Sequence, residues 1–387
     1  MYRHFGGMLA INKITKVFRL NPNYEKRIFG LDLMRSLAII FVVMGHGGSM
    51  LDKANTGFPW IPLLDGVELF FVLSGFLIGR ILLNIFQSNG SFGIKTIGNF
   101  WVRRWFRTLP NYYLILILNI IVVYFGIIRE NISHFNWKFF LFLHNFSGPF
   151  TDFFWESWSL SIEEWFYLLF PAILGILYFV FKNFKIKRKQ IFLTAVFLFL
   201  LTPFLFRVFK ASHIDVDKFW LSVKIFKVVI YRLDSIALGL LAAFIKYWHP
   251  KIWFKIRDPG FLLGIGISYI VYYTEWIPNH FSTKVFQQFI TSVGCFLLLP
   301  KFDSLKKAHH LLVKVCTHIS LISYSMYLLN LALVAEVINT NFPPQNASTA
   351  WGLYGMYWIC VLIFSTLLYK YYEKPIMDLR DRWKDCP

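Results

Sequence analysis

Charged residues are scarce in this chain, and their scarcity limits what kind of protein it can be. Asp, Glu, Lys and Arg make up only 16% of its 387 residues, whereas soluble globular domains carry about 25%. Hydrophobic residues make up 57% of the chain. With so few polar side chains to cover a water-facing surface, a soluble enzyme is excluded, and with so much apolar sequence a disordered chain is excluded.

Motifs for metals and for export are also lacking. The four cysteines show neither C-x-x-C spacing nor a histidine partner at zinc spacing, so we expect structural cysteines and no metal. Residues 1–30 are basic and polar, without the apolar core of a cleavable signal peptide. No internal repeat or low-complexity segment is evident. We expect one membrane domain with short tails.

Long apolar runs, by contrast, are abundant. A membrane-spanning helix needs about 20 mainly apolar residues, and the stretch 137–147 is too short, which favours a re-entrant or interfacial segment. The sequence predicts an all-α, polytopic integral membrane protein with a basic tail (1–30), a membrane domain (31–372) and a second tail (373–387). Ten runs are long enough to span, at 31–50, 67–86, 108–128, 158–181, 190–206, 221–245, 258–274, 285–300, 319–339 and 350–370.

The basic residues are unevenly placed between these runs. If the N-terminus is cytoplasmic, 28 of the 40 Lys and Arg residues fall in cytoplasmic segments and 7 in external ones. This asymmetry is the positive-inside signal. We therefore predict that both termini are cytoplasmic, and we assign the net charge of +19 to membrane topology rather than to a nucleic-acid partner.

The first predicted span contains two ionisable residues that are costly to bury. Arg35 and His46 are eleven residues apart, which places them on one helical face about 16 Å apart along the axis. A cation at one end and a proton acceptor at the other suit a long donor molecule with a phosphate head. The alternative is that Arg35 pairs with Asp32 at the interface and His46 serves a helix contact.

Acidic residues in two other spans raise similar questions. Glu68 opens the second span at the predicted level of His46, where a carboxylate would set the imidazole tautomer; the alternative is an interfacial acid. In the sixth span Lys227 and Asp234, which flank Arg232, are seven residues apart. We predict a structural ion pair there.

Three arginines precede the third span on the predicted cytoplasmic side. In a helix, Arg103, Arg104 and Arg107 lie within about 100° of each other. Guanidinium groups suit phosphates, so this cluster is either a phosphate site or a positive-inside anchor.

Aromatic, hydroxyl and acidic residues enter the fourth span from outside. The stretch 155–167 contains two adjacent acids, three serines and indole rings that suit sugars. It predicts either a polar outer pocket or an interfacial aromatic belt.

Together these motifs resemble the membrane-bound acyltransferase-3 family, the O-acyltransferases that decorate bacterial envelope sugars. The resemblance covers essentially residues 28–376. One departure is Asn330, because members often place a histidine after the Tyr-Leu of the ninth span. The matching blocks follow one another in family order, at 30–46, 69–78, 103–110, 158–171, 232–239, 319–328 and 372–375.

The resemblance implies an O-acyltransferase of the bacterial inner membrane. The donor would be cytoplasmic acyl-CoA, acetyl-CoA being the expectation, and the acceptor would be a hydroxyl of an extracytoplasmic saccharide. His46 would be the general base, oriented by Glu68 or Glu163. Donor binding is assigned to Arg35, Arg103, Arg104 and Arg107, and the acceptor or pocket role to Ser74, Trp158, Ser161, Glu164 and Tyr167.

A different class of function also fits intramembrane ionisable residues. In a proton-coupled transporter or a lipid-linked sugar flippase, His46 and Glu163 would be the proton-coupling groups. The absence of inverted repeats weighs against this alternative.

Overall fold

The described part of the chain is helical. A computed structural model describes residues 20, 22, 24–54, 56, 64–88, 92–184, 186–274 and 276–382, and none of these residues lies in a β-strand. The long helices are α1 Phe29–Lys53, α2 Gly66–Gln87, α3 Ile94–Tyr124, α4 Ser157–Phe181, α5 Arg188–Ala211, α6 Leu233–Trp248, α7 Arg257–Tyr273, α8 Phe281–Ser304, α9 His310–Leu329 and α10 Ala347–Leu368.

These helices confirm the all-α, multi-pass membrane fold. Within the described residues, eight helical segments are long and apolar enough to cross a membrane. The helices α6 and α7 fall at two further predicted spans, but they are shorter, with 16 and 17 residues. The stretch 137–147 contains only the 3₁₀ turn Trp137–Leu141, as expected of a segment too short to span. Most of the tail 1–30 lies outside the described residues.

Several short elements link or extend the long helices. The part of the chain that the structure describes contains three π-helical turns, Ser222–Phe226, Asn330–Glu336 and Tyr369–Glu373. The other short elements are the 3₁₀ turns Tyr24–Lys26, Ile132–His134 and Val229–Tyr231, and the α-helical segments Lys218–Leu221, Pro250–Lys255, Val337–Asn341 and Lys374–Arg382.

The predicted sixth span is broken rather than continuous. Its first part is the π turn Ser222–Phe226, and the 3₁₀ turn Val229–Tyr231 separates this turn from α6. Lys227 lies before this break and Asp234 after it. The seven-residue spacing therefore does not place them on one helical face.

Helices α2 and α6 pack backbone to backbone. A Cβ atom on Gly75 would lie 2.0 Å from the carbonyl oxygen of Ile236, and one on Gly239 would lie 2.1 Å from that of Val72. Such contact needs residues without side chains, as is common between membrane helices. It holds α2 firmly on one side, while another side of α2 faces an internal cavity.

Candidate active site

An elongated cavity runs through the helix bundle between α1, α2, α3, α4 and α9. It has a volume of about 420 Å³, and α2 lines it from Val67 to Asn84. The helix rises about 26 Å from Val67 to Asn84, close to the thickness of about 30 Å of a bilayer's hydrocarbon core. The cavity is therefore long enough to hold an extended molecule along the membrane normal.

One end of this cavity is strongly basic. Arg35 of α1 lines it together with Arg104 and Arg107 of α3. None of these three guanidinium groups makes a hydrogen bond or an ion pair with a residue that the structure describes. The guanidinium carbon of Arg104 only lies 5.8 Å from the ring centres of Phe100 and Tyr167. Unpaired cations in an apolar bundle are expensive, so this end is prepared for an anion.

Arg35 is free because another arginine takes its neighbouring carboxylate. Arg27 donates from Nε to Oδ2 of Asp32 at 2.7 Å and from Nη2 to Oδ1 at 2.5 Å. The Ser320 hydroxyl donates to the same carboxylate at 2.8 Å. The alternative in which Arg35 pairs with Asp32 is thus wrong.

The predicted arginine cluster is only partly brought together. Arg103 is exposed and does not line the cavity, and its carbonyl oxygen accepts a hydrogen bond from Arg380 at 3.2 Å. It occupies the opposite edge of the cluster's 100° face from Arg104. The helix therefore turns Arg103 away from the cavity while Arg104 and Arg107 face it, so Arg103 is not part of the cavity wall.

Polar side chains occupy the middle of the cavity. Ser74, Glu163 and Tyr167 all line it. The Ser74 and Tyr167 hydroxyls are hydrogen-bonding neighbours of the Glu163 carboxylate, and Arg104 and Arg107 are its cationic neighbours. Glu163, predicted to be catalytic, and Ser74 and Tyr167, predicted for the acceptor pocket, therefore form one group beside the basic end.

His46 has a defined tautomer through Asn330. The Asn330 amide nitrogen donates to the carbonyl oxygens of Met326 at 2.9 Å and Tyr327 at 2.7 Å, so its Oδ1 faces His46 Nδ1 at 2.5 Å. An amide oxygen only accepts, hence Nδ1 carries the proton and Nε2 keeps its lone pair. The imidazole is therefore arranged to accept a proton at Nε2.

His46 lies just beyond the cavity rather than in its wall. Tyr327 lines the cavity, and its hydroxyl is 2.6 Å from the Ser159 hydroxyl. Asn330, the partner of His46, comes one helical turn after Tyr327. The Ser159–Tyr327 pair therefore marks the end of the cavity nearest to His46.

The structure corrects the role predicted for Glu68. Its carboxylate pairs with Arg232 and accepts a hydrogen bond from Ser292 of α8, and both members of the ion pair are 1% exposed. Glu68 points to the side of α2 that packs against α6 and α8, away from α1. Glu68 is thus a buried structural acid. The residue that binds His46 is Asn330 instead of Glu68.

The predicted Lys227–Asp234 pair is also wrong. Asp234 instead accepts two hydrogen bonds from Arg207, at 3.0 and 2.5 Å. The Lys227 ammonium lies 4.2 Å from the ring centre of Trp155. The break before α6 explains why Asp234 pairs with Arg207 rather than with Lys227, because it separates Lys227 from the helical face that carries Asp234.

Comparison with known proteins now gives the arrangement a family. The model of the acyltransferase domain family (acyltransferase 3) matches residues 28–370, which is most of the chain. The chain belongs to this family. Family membership favours the enzyme over the transporter alternative and supports a bacterial envelope setting for this multi-pass membrane acyltransferase.

Relatives of this acyltransferase have more specific names. It is 36% identical to the peptidoglycan O-acetyltransferase OatA of Listeria monocytogenes, over 43% of this chain and 27% of that protein. It is 29% identical to "Putative O-acetyltransferase SACOL0978" of Staphylococcus aureus (strain COL), over 59% of this chain and 36% of that protein. The chain thus spans about a quarter to a third of the length of these relatives. No solved structure matches it.

Three residues predicted for the acceptor pocket lie outside the acyltransferase's cavity. Trp158 packs edge-on against Phe71. The Ser161 hydroxyl is 3.3 Å from His144 Nε2, and burial lowers the pKa of His144 to about 3. Glu164 is buried beside Thr108. These side chains fix the entry to α4, so the predicted outer pocket is not formed by them.

Several residues of the site are not evident from the sequence. Ser159 and Tyr327 lie inside the motifs that suggested the family, but nothing in their spacing showed that they meet. Asn330 was visible only as a departure from the family pattern. Glu156 gave no signal, although burial raises the pKa of its carboxyl to about 8.

Proposed function

We propose that this chain is a membrane-embedded O-acyltransferase that moves an acyl group, acetyl in the simplest case, from cytoplasmic acyl-CoA to a hydroxyl of an extracytoplasmic saccharide. The observation that carries the proposal is the cavity with three unpaired arginines at one end and Tyr327, adjacent to the His46–Asn330 pair, at the other. The names of the relatives support O-acetylation and suggest peptidoglycan as the acceptor.

The donor would lie along the cavity with its phosphates at Arg35, Arg104 and Arg107. Guanidinium forks bind phosphate oxygens in pairs, which adds geometric selectivity to charge. The pantetheine arm would lie along the apolar side chains of α2 and extend toward the Ser159–Tyr327 pair. Arg80, which also lines the cavity, stands near its basic end.

Chemistry would take place where the cavity approaches His46. Nε2 of His46 takes the proton of the acceptor hydroxyl while that oxygen attacks the thioester carbonyl carbon. The carbon–sulfur bond breaks, and the imidazolium returns the proton to the CoA thiolate. Asn330 keeps the required tautomer throughout, since its Oδ1 accepts from Nδ1.

Ester formation tests this proposal. Purified protein is incubated with labelled acetyl-CoA and peptidoglycan fragments, and labelled ester is measured beside donor binding. His46→Ala should lower turnover about 10²–10⁴-fold, the usual contribution of a general base, while it retains donor affinity. A loss of labelled ester of only about threefold, far smaller than a general base contributes, would exclude His46 as the base.

The proposal also fixes an orientation, with both termini cytoplasmic. Lys306 would then face the cytoplasm and Asn346 the outside. Lys185, a further cytoplasmic position, lies outside the described residues. Cysteines introduced at 306 and 346 are treated with an impermeant thiol reagent in intact cells. Only the cysteine at 346 should react. Strong reaction at 306 would show that the proposed orientation is wrong.

A further inference from the structure

Glu156 is a buried carboxylate that has no cationic partner among the described residues. It immediately precedes α4 and is 1% exposed. No ion pair joins it to any described residue. Burying an ionisable group without a countercharge is unfavourable, so its position calls for a specific purpose.

Two oxygens of Glu156, one in its side chain and one in its backbone, accept hydrogen bonds from the segment that carries Asn330. Its Oε1 accepts a hydrogen bond from the backbone nitrogen of Ala332 at 2.8 Å. Its carbonyl oxygen accepts one from the Tyr327 hydroxyl at 3.1 Å. Asn330 lies between these two anchored residues.

That segment departs from regular α-helix. Asn330 is the first residue of the π turn Asn330–Glu336, which directly follows α9. π turns are uncommon and occur often at functional sites. The Glu156 carboxylate satisfies a backbone N–H within this turn, so it stabilises the turn where the backbone departs from the α-helical pattern.

We propose that Glu156 is a positioning residue for His46. It holds the π turn so that Asn330 Oδ1 stays in hydrogen-bonding reach of His46 Nδ1, and it acts as a hydrogen-bond acceptor rather than as a charge. This inference rests on the proposed role of His46 as the base. The sequence signal for it is absent because Glu156 and Ala332 are 176 residues apart.

Two substitutions separate the acceptor role from charge. Glu156→Gln keeps an oxygen that accepts from Ala332, so we expect kcat within about twofold of wild type, the range of a neutral change. Glu156→Leu removes the acceptor, and we expect kcat to fall about 10- to 100-fold, as misplacement of a catalytic group does. Donor affinity should stay unchanged in both variants, because the arginines are at the other end of the cavity.

Glu130 provides a matched control. It is also a largely buried acid of the stretch between α3 and α4, and its Oε2 accepts from the backbone nitrogen of Phe154 at 2.9 Å, whereas no hydrogen bond joins it to the π turn among the described residues. Glu130→Leu should lower thermal stability about as much as Glu156→Leu while kcat stays near wild type. An equal loss of kcat in both variants would overturn the proposal.

The remaining outcomes are also decisive. Wild-type kcat in Glu156→Leu overturns the positioning role, and loss of kcat in Glu156→Gln overturns the acceptor role. If the leucine variant does not fold, Glu156→Asp, which shortens the reach toward Ala332, should lower kcat at constant donor affinity, and wild-type kcat in it counts against the proposal. His46→Ala in the same assay tests the proposed function separately, because an active His46→Ala enzyme refutes the base whatever Glu156 does.

Discussion

Two sets of arginines within this helix bundle are treated in opposite ways. Arg207 and Arg232 are each 1% exposed and each has a carboxylate partner that is equally buried, Asp234 and Glu68. The arginines at the basic end of the cavity, Arg35, Arg104 and Arg107, have no such partner among the described residues. The bundle thus joins the arginines that hold it together to carboxylates by direct ion pairs, and it leaves those that face the cavity without one.

This difference separates fold from function among residues of one type. A buried ion pair tolerates loss of one partner badly, because the other charge is then stranded in an apolar interior. A cation without a direct ion-pair partner contributes less to the stability of the empty protein, and it gains such a partner only when a ligand arrives. Mutations in the two sets should therefore differ in what they damage.

The largest effect is expected in a paired arginine's partner. Asp234→Ala strands Arg207 and should lower the free energy of unfolding by about 3–5 kcal/mol. Unfolding in detergent micelles by heat or denaturant measures it. The double variant Arg207→Met/Asp234→Leu should recover most of this loss, because no charge is left unpaired. If Asp234→Ala were as stable as wild type, the claim that the paired arginines hold the bundle together would be wrong.

A smaller and different effect is expected at the cavity. Arg107→Ala removes a charge-assisted phosphate contact of about 1.5–3 kcal/mol, so acetyl-CoA affinity should fall roughly 10- to 150-fold. Thermal stability without donor should fall much less than in Asp234→Ala, since Arg107 makes no direct ion pair with a described residue. Arg103→Ala is the matched control, because Arg103 lies on the same helix but outside the cavity. Equal loss of affinity in both variants would show that net charge, not the cavity, attracts the donor.

The third effect concerns the pH dependence of stability and the carboxyl group of Glu130. Burial raises the pKa of Glu130 to about 7 from an ordinary value of 4.5. The folded state therefore favours the protonated acid, and its stability declines as the pH rises from about 4.5 through 7. Glu130→Gln removes this contribution, so unfolding temperatures at pH 5 and pH 8 should show the variant gaining on wild type at pH 8. An unchanged difference between the two proteins at both pH values would contradict the raised pKa.

Much of the fold was predictable from apolar runs. Hydropathy placed the long helices, because a span must be apolar whatever it packs against. It missed the break before α6, since an apolar run has the same composition whether its backbone is α-helical or π-helical. The mistaken Lys227–Asp234 pair followed directly from assuming one continuous helix.

The site was less predictable, because its decisive contacts join distant parts of the chain. Spacing within one helix correctly placed Arg104 and Arg107 on a common face. It gave no means of learning that Arg27 takes Asp32 and so leaves Arg35 free. Nor could it show that Glu68 pairs with Arg232, which is 164 residues away from it in the sequence, rather than with His46. Partner choice between helices depends on packing, which one sequence does not display.

Donor-dependent stabilisation tests the central claim most directly. A ligand that binds only the folded protein stabilises it by about 2.7 kcal/mol at a concentration of 100 Kd, which is readily seen as a rise in unfolding temperature. Acetyl-CoA should produce this rise in wild type and in Arg103→Ala, and almost none in the triple variant Arg35→Ala/Arg104→Ala/Arg107→Ala, whose unfolding temperature without donor should stay close to that of wild type. If the triple variant is stabilised as strongly as wild type, the unpaired arginines do not bind the donor and the account is wrong.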